Sequence, residues 1–362
     1  MKKEKKILYQ LIFSAFLLFS NAYLVKANSD ILSQDSTGKY CINTEQDYYN
    51  FIENIQNYNN KTVILCNDID ISDVPEATSS FGGILNGKGH TITYASKEAK
   101  ENIAVFPFRI NDNGIVENIN VQIDESYAYN SETDEFQTVF SRCDGIAKGI
   151  TIKGNVTCIY DDEDTDVYIG AIEGNGTLMD SSIAITYDLQ SEKTIEEIAE
   201  DIVENDLEFE FCQLGTTYTG ITYQNCIGYG QYSEAIKSLA DELEPKIEDD
   251  TWGSLYVSFT RKSFFSTSAS ATNCYYDKEN MPDIKIMSEY ITNRDNNKEF
   301  PNYADFGKTT SEMKNQGTYE GFDFNKKWTI SPEDNNGYPY YNPQTEEITL
   351  KVQASAEPKV WS

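Results

Sequence analysis

Apolar and polar residues alternate in short runs along most of the chain. The clearest are Thr91-Ile92-Thr93-Tyr94, Ile119-Asn120-Val121-Gln122-Ile123, Ile150-Thr151-Ile152 and Ile183-Ala184-Ile185. A period of two places one face of a strand in the core and the other in solvent. Each run follows a glycine phrase: Gly83-Ile84-Leu85-Asn86, Gly114-Ile115-Val116-Glu117, Gly145-Ile146-Ala147-Lys148 and Gly176-Thr177-Leu178-Met179. Gly83, Gly114, Gly145 and Gly176 recur at intervals of 31 residues. They read as structural turns, where glycine lets the chain bend sharply with positive φ. Gly220-Ile221-Thr222 with Asn225-Cys226-Ile227 forms a weaker fifth copy after an insertion. One such unit cannot cover its own apolar face, but stacked units can. Short strands, Gly/Asn turns and equal spacing predict an all-β fold, a parallel β-helix. An all-β sandwich would require the spacing to be coincidental. The register drifts, since the aliphatic residue after Gly176 comes later than the one after Gly114.

Three stretches have helical periodicity instead. Thr44-Glu45-Gln46-Asp47 resembles a capping box ahead of Phe51, Ile52 and Ile55, and predicts a helix that caps the N-terminal end of the stack. Thr194 precedes Ile195, Ile198, Ile202 and Val203 on one face. Ser233 precedes Ile236, Leu239, Ala240 and Leu243. Both predict short amphipathic helices inserted around 194–245, as excursions from one side of the stack.

The N-terminus changes the picture of where the chain works. Met1 to Lys6 is basic, and Ile7 to Phe19 is mainly apolar. Small residues permit cleavage after Ala22 or Ala27. The pattern predicts a secretory signal peptide over 1–27, with an uncleaved anchor as the alternative. The expected organisation continues with a flexible linker over 28–39 and N-terminal rungs with the capping helix over 40–190. Acidic helical insertions with a rung near 211–230 occupy 191–265. C-terminal rungs and a cap occupy 266–343, and a flexible tail 344–362. The first cysteine is Cys41 and the tail carries no sorting motif, so the expected product is released or held non-covalently. No integral membrane span is expected after cleavage.

The whole chain carries a net charge of −30, and loss of the signal peptide makes it more acidic. Such a charge repels nucleic acid and anionic lipid, and both are excluded as expected partners. Seven cysteines at 41, 66, 143, 158, 212, 226 and 274 cannot all pair within one chain. Export permits disulfides, while Cys66 and Cys158 at strand spacing also fit buried thiols acting as small hydrophobes.

Several phrases carry a family resemblance. They are Tyr40-Cys41-Ile42-Asn43-Thr44 with Tyr49 and Phe51, Asn67-Asp68-Ile69-Asp70-Ile71, and Phe81-Gly82-Gly83-Ile84-Leu85-Asn86-Gly87-Lys88-Gly89-His90-Thr91-Ile92. The C-terminal part adds Asn273-Cys274-Tyr275-Tyr276-Asp277, Lys308-Thr309-Thr310-Ser311-Glu312-Met313-Lys314, Gly321-Phe322-Asp323-Phe324 with Trp328, and Asn336-Gly337-Tyr338-Pro339-Tyr340. In this order they resemble GLUG-type right-handed parallel β-helix proteins, secreted or surface proteins of Gram-positive, often gut-associated bacteria. The resemblance covers about 40–190 and 266–343. It implies right-handedness and a surface or secreted setting, and supplies no catalytic residue.

Candidate chemistry is sparse. His90, the single histidine, lies in a turn phrase, and no Ser-His-Asp set is assembled around it. The densest acidic run places Asp162, Asp164 and Asp166 at calcium-loop positions 1, 3 and 5, with Glu173 at 12. These four are the candidate Ca²⁺ ligands, although position 6 is Val167 where such a loop needs glycine. No other cofactor is expected. Tyrosine clusters at Tyr127/Tyr129, Tyr218/Tyr223/Tyr229/Tyr232 and Tyr338/Tyr340/Tyr341 fit either strand packing or sugar and protein contact. The expected function is non-enzymatic extracellular contact, adhesin-like or as a host-facing antigen. Its partner would be a protein or glycan of a host surface or the bacterial envelope. The alternative is a secreted polysaccharide lyase or hydrolase.

Overall fold

Each alternating run forms a strand, and the strands lie mainly parallel in two large sheets. The computed structural model describes residues 32–72, 74–75, 77, 79–95, 105–128, 137–160, 166–215, 220–247, 253–258, 270–281, 284–286 and 306–342. The signal-peptide region 1–27 and the tail 344–362 lie outside the described residues. The first sheet is ordered Tyr40–Ile42, Thr62–Leu65, Ile84–Asn86, Ile115–Ala128, Ile146–Ile159, Ser182–Gln190, Ile227–Gly228, Tyr275–Asp277 and Gly307–Lys308, with shorter strands beside this path. The second runs Phe106–Ile110, Gln137–Cys143, Val167–Ile172, Glu208–Cys212, Ser254–Ser258 and Ile284–Ile286. Only the last of these pairs antiparallel. From Ile115 onward the chain alternates between the sheets, passing Ile115–Ala128, Gln137–Cys143, Ile146–Ile159 and Val167–Ile172 in turn. The protein is β-rich, with few helices.

The 31-residue spacing is a hydrogen-bonded register. Ile115 pairs with Ile146, and Ile146 with Thr177. The drift expected after Gly176 does not occur, because Thr177 occupies the position of the isoleucines and Leu178 the inward position of Ala147. Inward residues stack in columns: Leu85, Val116, Ala147, Leu178 and Tyr223 form one, and Ile92, Val121, Ile152 and Ile183 another. All nine are buried, and each large aliphatic contributes about 1.5–3 kcal/mol by leaving water. On the second sheet the register partners Phe106 and Phe140 stack with centroids 4.3 Å apart.

Gly83, Gly114, Gly145 and Gly176 are glycines for a different reason from the one expected. None has a positive φ. Instead the neighbouring pass crowds them: a Cβ on Gly145 would lie 2.3 Å from the Gly114 carbonyl oxygen, and one on Gly176 2.2 Å from that of Gly145. The left-handed corner lies further along each pass, at Asn118, Gly149, Asp180, Asn225 and Asn273, with φ of 49° to 63°. Asn and Asp are the side chains that best tolerate this conformation.

The helix Glu45–Glu53 buries Tyr48, Phe51 and Ile52, and the Thr44 hydroxyl accepts the Asp47 amide at 3.1 Å. The Asp47 carboxylate reaches back to the Asn43 amide at 3.0 Å, one residue beyond a closed capping box. Thr194 and Glu197 form the full reciprocal box ahead of the helix Ile195–Glu204. The helix Glu234–Leu243 packs against it and against Ser182–Gln190. Of the stretch read as a linker, residues 32–39 are described and tied down. Leu32 is buried and its amide donates to the Tyr58 hydroxyl at 3.0 Å. Cys41 and Cys66 form a disulfide, with Cα atoms 5.9 Å apart. Among the described residues no helix is long and apolar enough to cross a membrane.

Candidate contact surface

The outward face of the first sheet divides into a covered and an uncovered part. Thr151 and Ser182 pair in register and continue as Ile227 and then Tyr275. The column thus turns from polar to apolar toward the C-terminal passes, and those passes acquire a cover. Ile227 and Tyr275 pack with Met313, Tyr319, Phe322, Trp328, Tyr338 and Tyr341 in a second apolar cluster separate from the main core. The covering strap, residues 306–342, runs back along the corner column. Gly321 approaches Asn273, Lys327 Nζ lies 3.2 Å from Asp180 Oδ2, and Tyr341 lies on Gly149. The corner side chains are themselves linked, with Asn225 Nδ2 donating to Asp180 Oδ1 at 3.0 Å and Asn273 Nδ2 to Asn225 Oδ1 at 3.3 Å.

One buried carboxylate fixes the strap. Asp277 accepts from the Thr310 hydroxyl at 2.8 Å, from Asn280 Nδ2 at 2.9 Å and from the Tyr338 hydroxyl. The amides of Glu279 and Asn280 cover its other oxygen. Burial and the adjoining Asp277 charge push the Tyr338 phenol well above its ordinary value, so it stays a donor. The tyrosines at 223, 232, 338 and 341 are buried and serve packing, and Tyr229 stacks on Tyr338 at 4.5 Å.

The earlier passes present a different surface. Ile84, Ile115 and Ile146 stand in register on the outside and remain half-buried, and the column continues as Thr177, Thr222 and exposed Ser270. Beside it run Asn86, Glu117 and Lys148. Asn86 Nδ2 donates to Glu117 Oε1 at 2.7 Å. Burial raises the Glu117 carboxyl, partly offset by Lys148 and by this hydrogen bond. An aliphatic stripe flanked by a polar stripe is a surface suited to contact.

A cationic spot lies on the second sheet. Arg109 and Arg142 are register partners on adjacent strands, and the Nε atoms lie 2.6 and 3.1 Å from the same Asp144 Oδ2. Asp144 is nearly buried, while the two guanidiniums are about half exposed. Glu173 lies near, its carboxyl raised by burial against the pull of Arg142. The pair was hidden in the sequence because an irregularity after Phe106 shifts the strand register.

No family model, curated protein or solved structure matches the chain.

The calcium-loop residues are not brought together as expected. Asp166 and Glu173 flank the strand Val167–Ile172 at its two ends, roughly 23 Å apart at strand rise. One ion cannot touch both. Asp166 Oδ1 instead accepts the Glu208 amide at 2.7 Å. Asp162 and Asp164 lie outside the described residues. Among the described residues no cluster of three His, Cys, Asp or Glu side chains is arranged to hold a metal. His90 Nδ1 sits 3.0 Å from Asp68 Oδ1 on the surface, and the same oxygen accepts the Thr91 amide at 2.9 Å. The Thr91 amide and then His90 hold the Asp68 carboxyl below its ordinary value.

Proposed function

We propose that the chain is an exported, non-enzymatic right-handed parallel β-helix that acts by extracellular contact, adhesin-like or as a host-facing antigen. The observation that carries the reading is the register-matched, half-buried stripe Ile84–Ile115–Ile146 on the first sheet, beside Asn86 and Lys148, which are half-buried, and Glu117, which is buried between them. The β-helix reading is supported by parallel pairing at 31-residue intervals and by alternation of the chain between two sheets. Export is supported by the N-terminal signal pattern and by the Cys41–Cys66 bridge, since disulfides persist in oxidising compartments. The order of the phrases resembling GLUG-type proteins agrees with both. The partner is a protein or glycan of a host surface or bacterial envelope.

The test is retention of labelled protein on host cells, mucin and bacterial cell wall, with Ile115→Lys beside the parent. Retention that the substitution abolishes, at an unchanged unfolding midpoint, supports the reading. No retention on any of the three overturns it.

A second reading, a polysaccharide lyase or hydrolase, is favoured by the Arg109–Asp144–Arg142 spot with Glu173 nearby. Paired guanidiniums recognise carboxylates, so the substrate would be an acidic glycan. A screen for new reducing ends and unsaturated products on acidic glycans would reveal it, and silence across the panel would retire it.

A further inference from the structure

Cys226 and Cys274 each follow a left-handed corner residue, Asn225 and Asn273. The passes at these corners are tightly registered. The Asn225 amide donates to the Thr272 carbonyl at 3.0 Å, and the Tyr275 amide to the Cys226 carbonyl at 2.9 Å. Asn273 Nδ2 donates to Asn225 Oδ1 at 3.3 Å just before them. The residues just after, Ile227 and Tyr275, are strand partners. The two cysteines therefore stand one above the other, both fully buried; in the reduced form the Cys226 thiol donates to the Leu178 and Gln224 carbonyls at 3.4 Å and the Cys274 thiol to the Thr272 carbonyl at 3.5 Å. Neighbouring strands are about 4.8 Å apart, within the Cα separation of about 4.4–6.8 Å that a disulfide accepts. The protein already bridges two adjacent passes: Cys41, whose register partner is Ile64, is joined to Cys66, just past the end of the neighbouring strand Thr62–Leu65.

We infer that Cys226 and Cys274 form a second disulfide when the chain folds in the presence of a disulfide oxidant, stapling the C-terminal passes as Cys41–Cys66 staples the N-terminal ones. One cysteine, as thiolate, attacks a sulfur of the oxidant and releases one oxidant thiol. The other then attacks the cysteine sulfur of this mixed disulfide and releases the second. The two cysteines lose two electrons and two protons, and the oxidant is reduced to two thiols. The bridge closes the segment holding the helix Glu234–Leu243 and the strand Ser254–Ser258 across one pass. It must form before the passes close. Burial pushes the Cys226 thiol far up once folded, which leaves it unreactive. Two bridges account for four of the seven cysteines. The inference needs only an oxidant and does not depend on the contact function.

The full chain is refolded in a mixture of reduced and oxidised glutathione, denatured, alkylated without reductant, and cut with trypsin and chymotrypsin. Cleavage at Tyr218 and Tyr223 separates Cys212 from Cys226. The expected product is a peptide pair joined through Cys226 and Cys274 and parted by reductant. Alkylation of both, or a bridge from either to another cysteine, overturns the inference. As an independent measure, the loss of unfolding midpoint on adding reductant should be smaller in Cys226→Ala/Cys274→Ala than in the parent. An equal loss also overturns it.

Discussion

Gly145 lies so close to Gly114 that a Cβ on it would sit 2.3 Å from the Gly114 carbonyl oxygen. That carbonyl also accepts the Ile146 amide at 3.0 Å. The glycine column is thus a packing seam, with one backbone laid on the next. Gly145→Ala must push the two passes apart and should cost about 1–3 kcal/mol, as overpacking does. Gly89 is the comparison: its φ is +82°, but a Cβ there meets nothing within 4 Å. Gly89→Ala pays only the left-handed penalty, about 1–2 kcal/mol. Urea unfolding should place Gly145→Ala at or below Gly89→Ala, with a broadened transition only for Gly145→Ala as the stack loses continuity.

The strap depends on a tryptophan and a buried carboxylate. Trp328 is buried in the second apolar cluster, so Trp328→Ala should cost about 3–5 kcal/mol of strap docking. Tyr338→Phe removes one hydrogen bond to Asp277 and should cost about 1.5–3 kcal/mol. In both variants, limited proteolysis should cut within 306–342 well before the passes that hold Ile115–Ala128 and Ile146–Ile159.

Asp144 gives a pH signature. Burial raises its carboxyl, but the Arg142 guanidinium, the Asn175 amide and Arg109 together bring it below the ordinary 3.8. A lowered folded value means stability that is present above pH 3.8 and lost as pH falls through the folded value. Asp144→Asn should therefore flatten the acid limb of the stability curve. At neutral pH it should destabilise by about 1–3 kcal/mol, because two adjacent arginines lose their shared acceptor. Denaturant titrations from pH 7 to the acid limb would check both effects.

Glu173 has the opposite sign. Burial raises its carboxyl above 4.5, so the contribution is favourable below 4.5 and is lost as pH rises through the folded value. Glu173→Gln should leave the protein as stable as the parent near pH 4 and more stable at neutral pH, read by thermal midpoints in both buffers.

Calcium supplies a separate test. Because Asp166 and Glu173 bound opposite ends of Val167–Ile172, Glu173→Gln should leave any midpoint response to millimolar calcium unchanged. A response that vanishes with Glu173 would show that the two acids meet after all.

Much of the local order is legible in residue order alone. Alternation such as Ile119-Asn120-Val121 yields a strand wherever one face is buried, and the Thr194–Glu197 phrase yields a capped helix, because both depend on neighbours a few positions away. The spacing of Gly83, Gly114, Gly145 and Gly176 also marks which segments stack. It does not show why glycine stands there, since the crowding carbonyl belongs to another pass.

Alternating apolar runs, the recurrence of glycine, the acidic charge and the helix caps are set by the sequence itself, because short-range sterics and periodicity decide them. Tertiary structure decided the placement of Arg109 beside Arg142, the closure of Tyr338 on Asp277 and the register that sets Cys226 beside Cys274. Later passes carry excursions of unequal length, so Thr177 pairs with Thr222 and Thr222 with Ser270 at spacings no fixed period predicts. Register across such excursions follows from which side chains bury best together, and that is settled only when the passes meet.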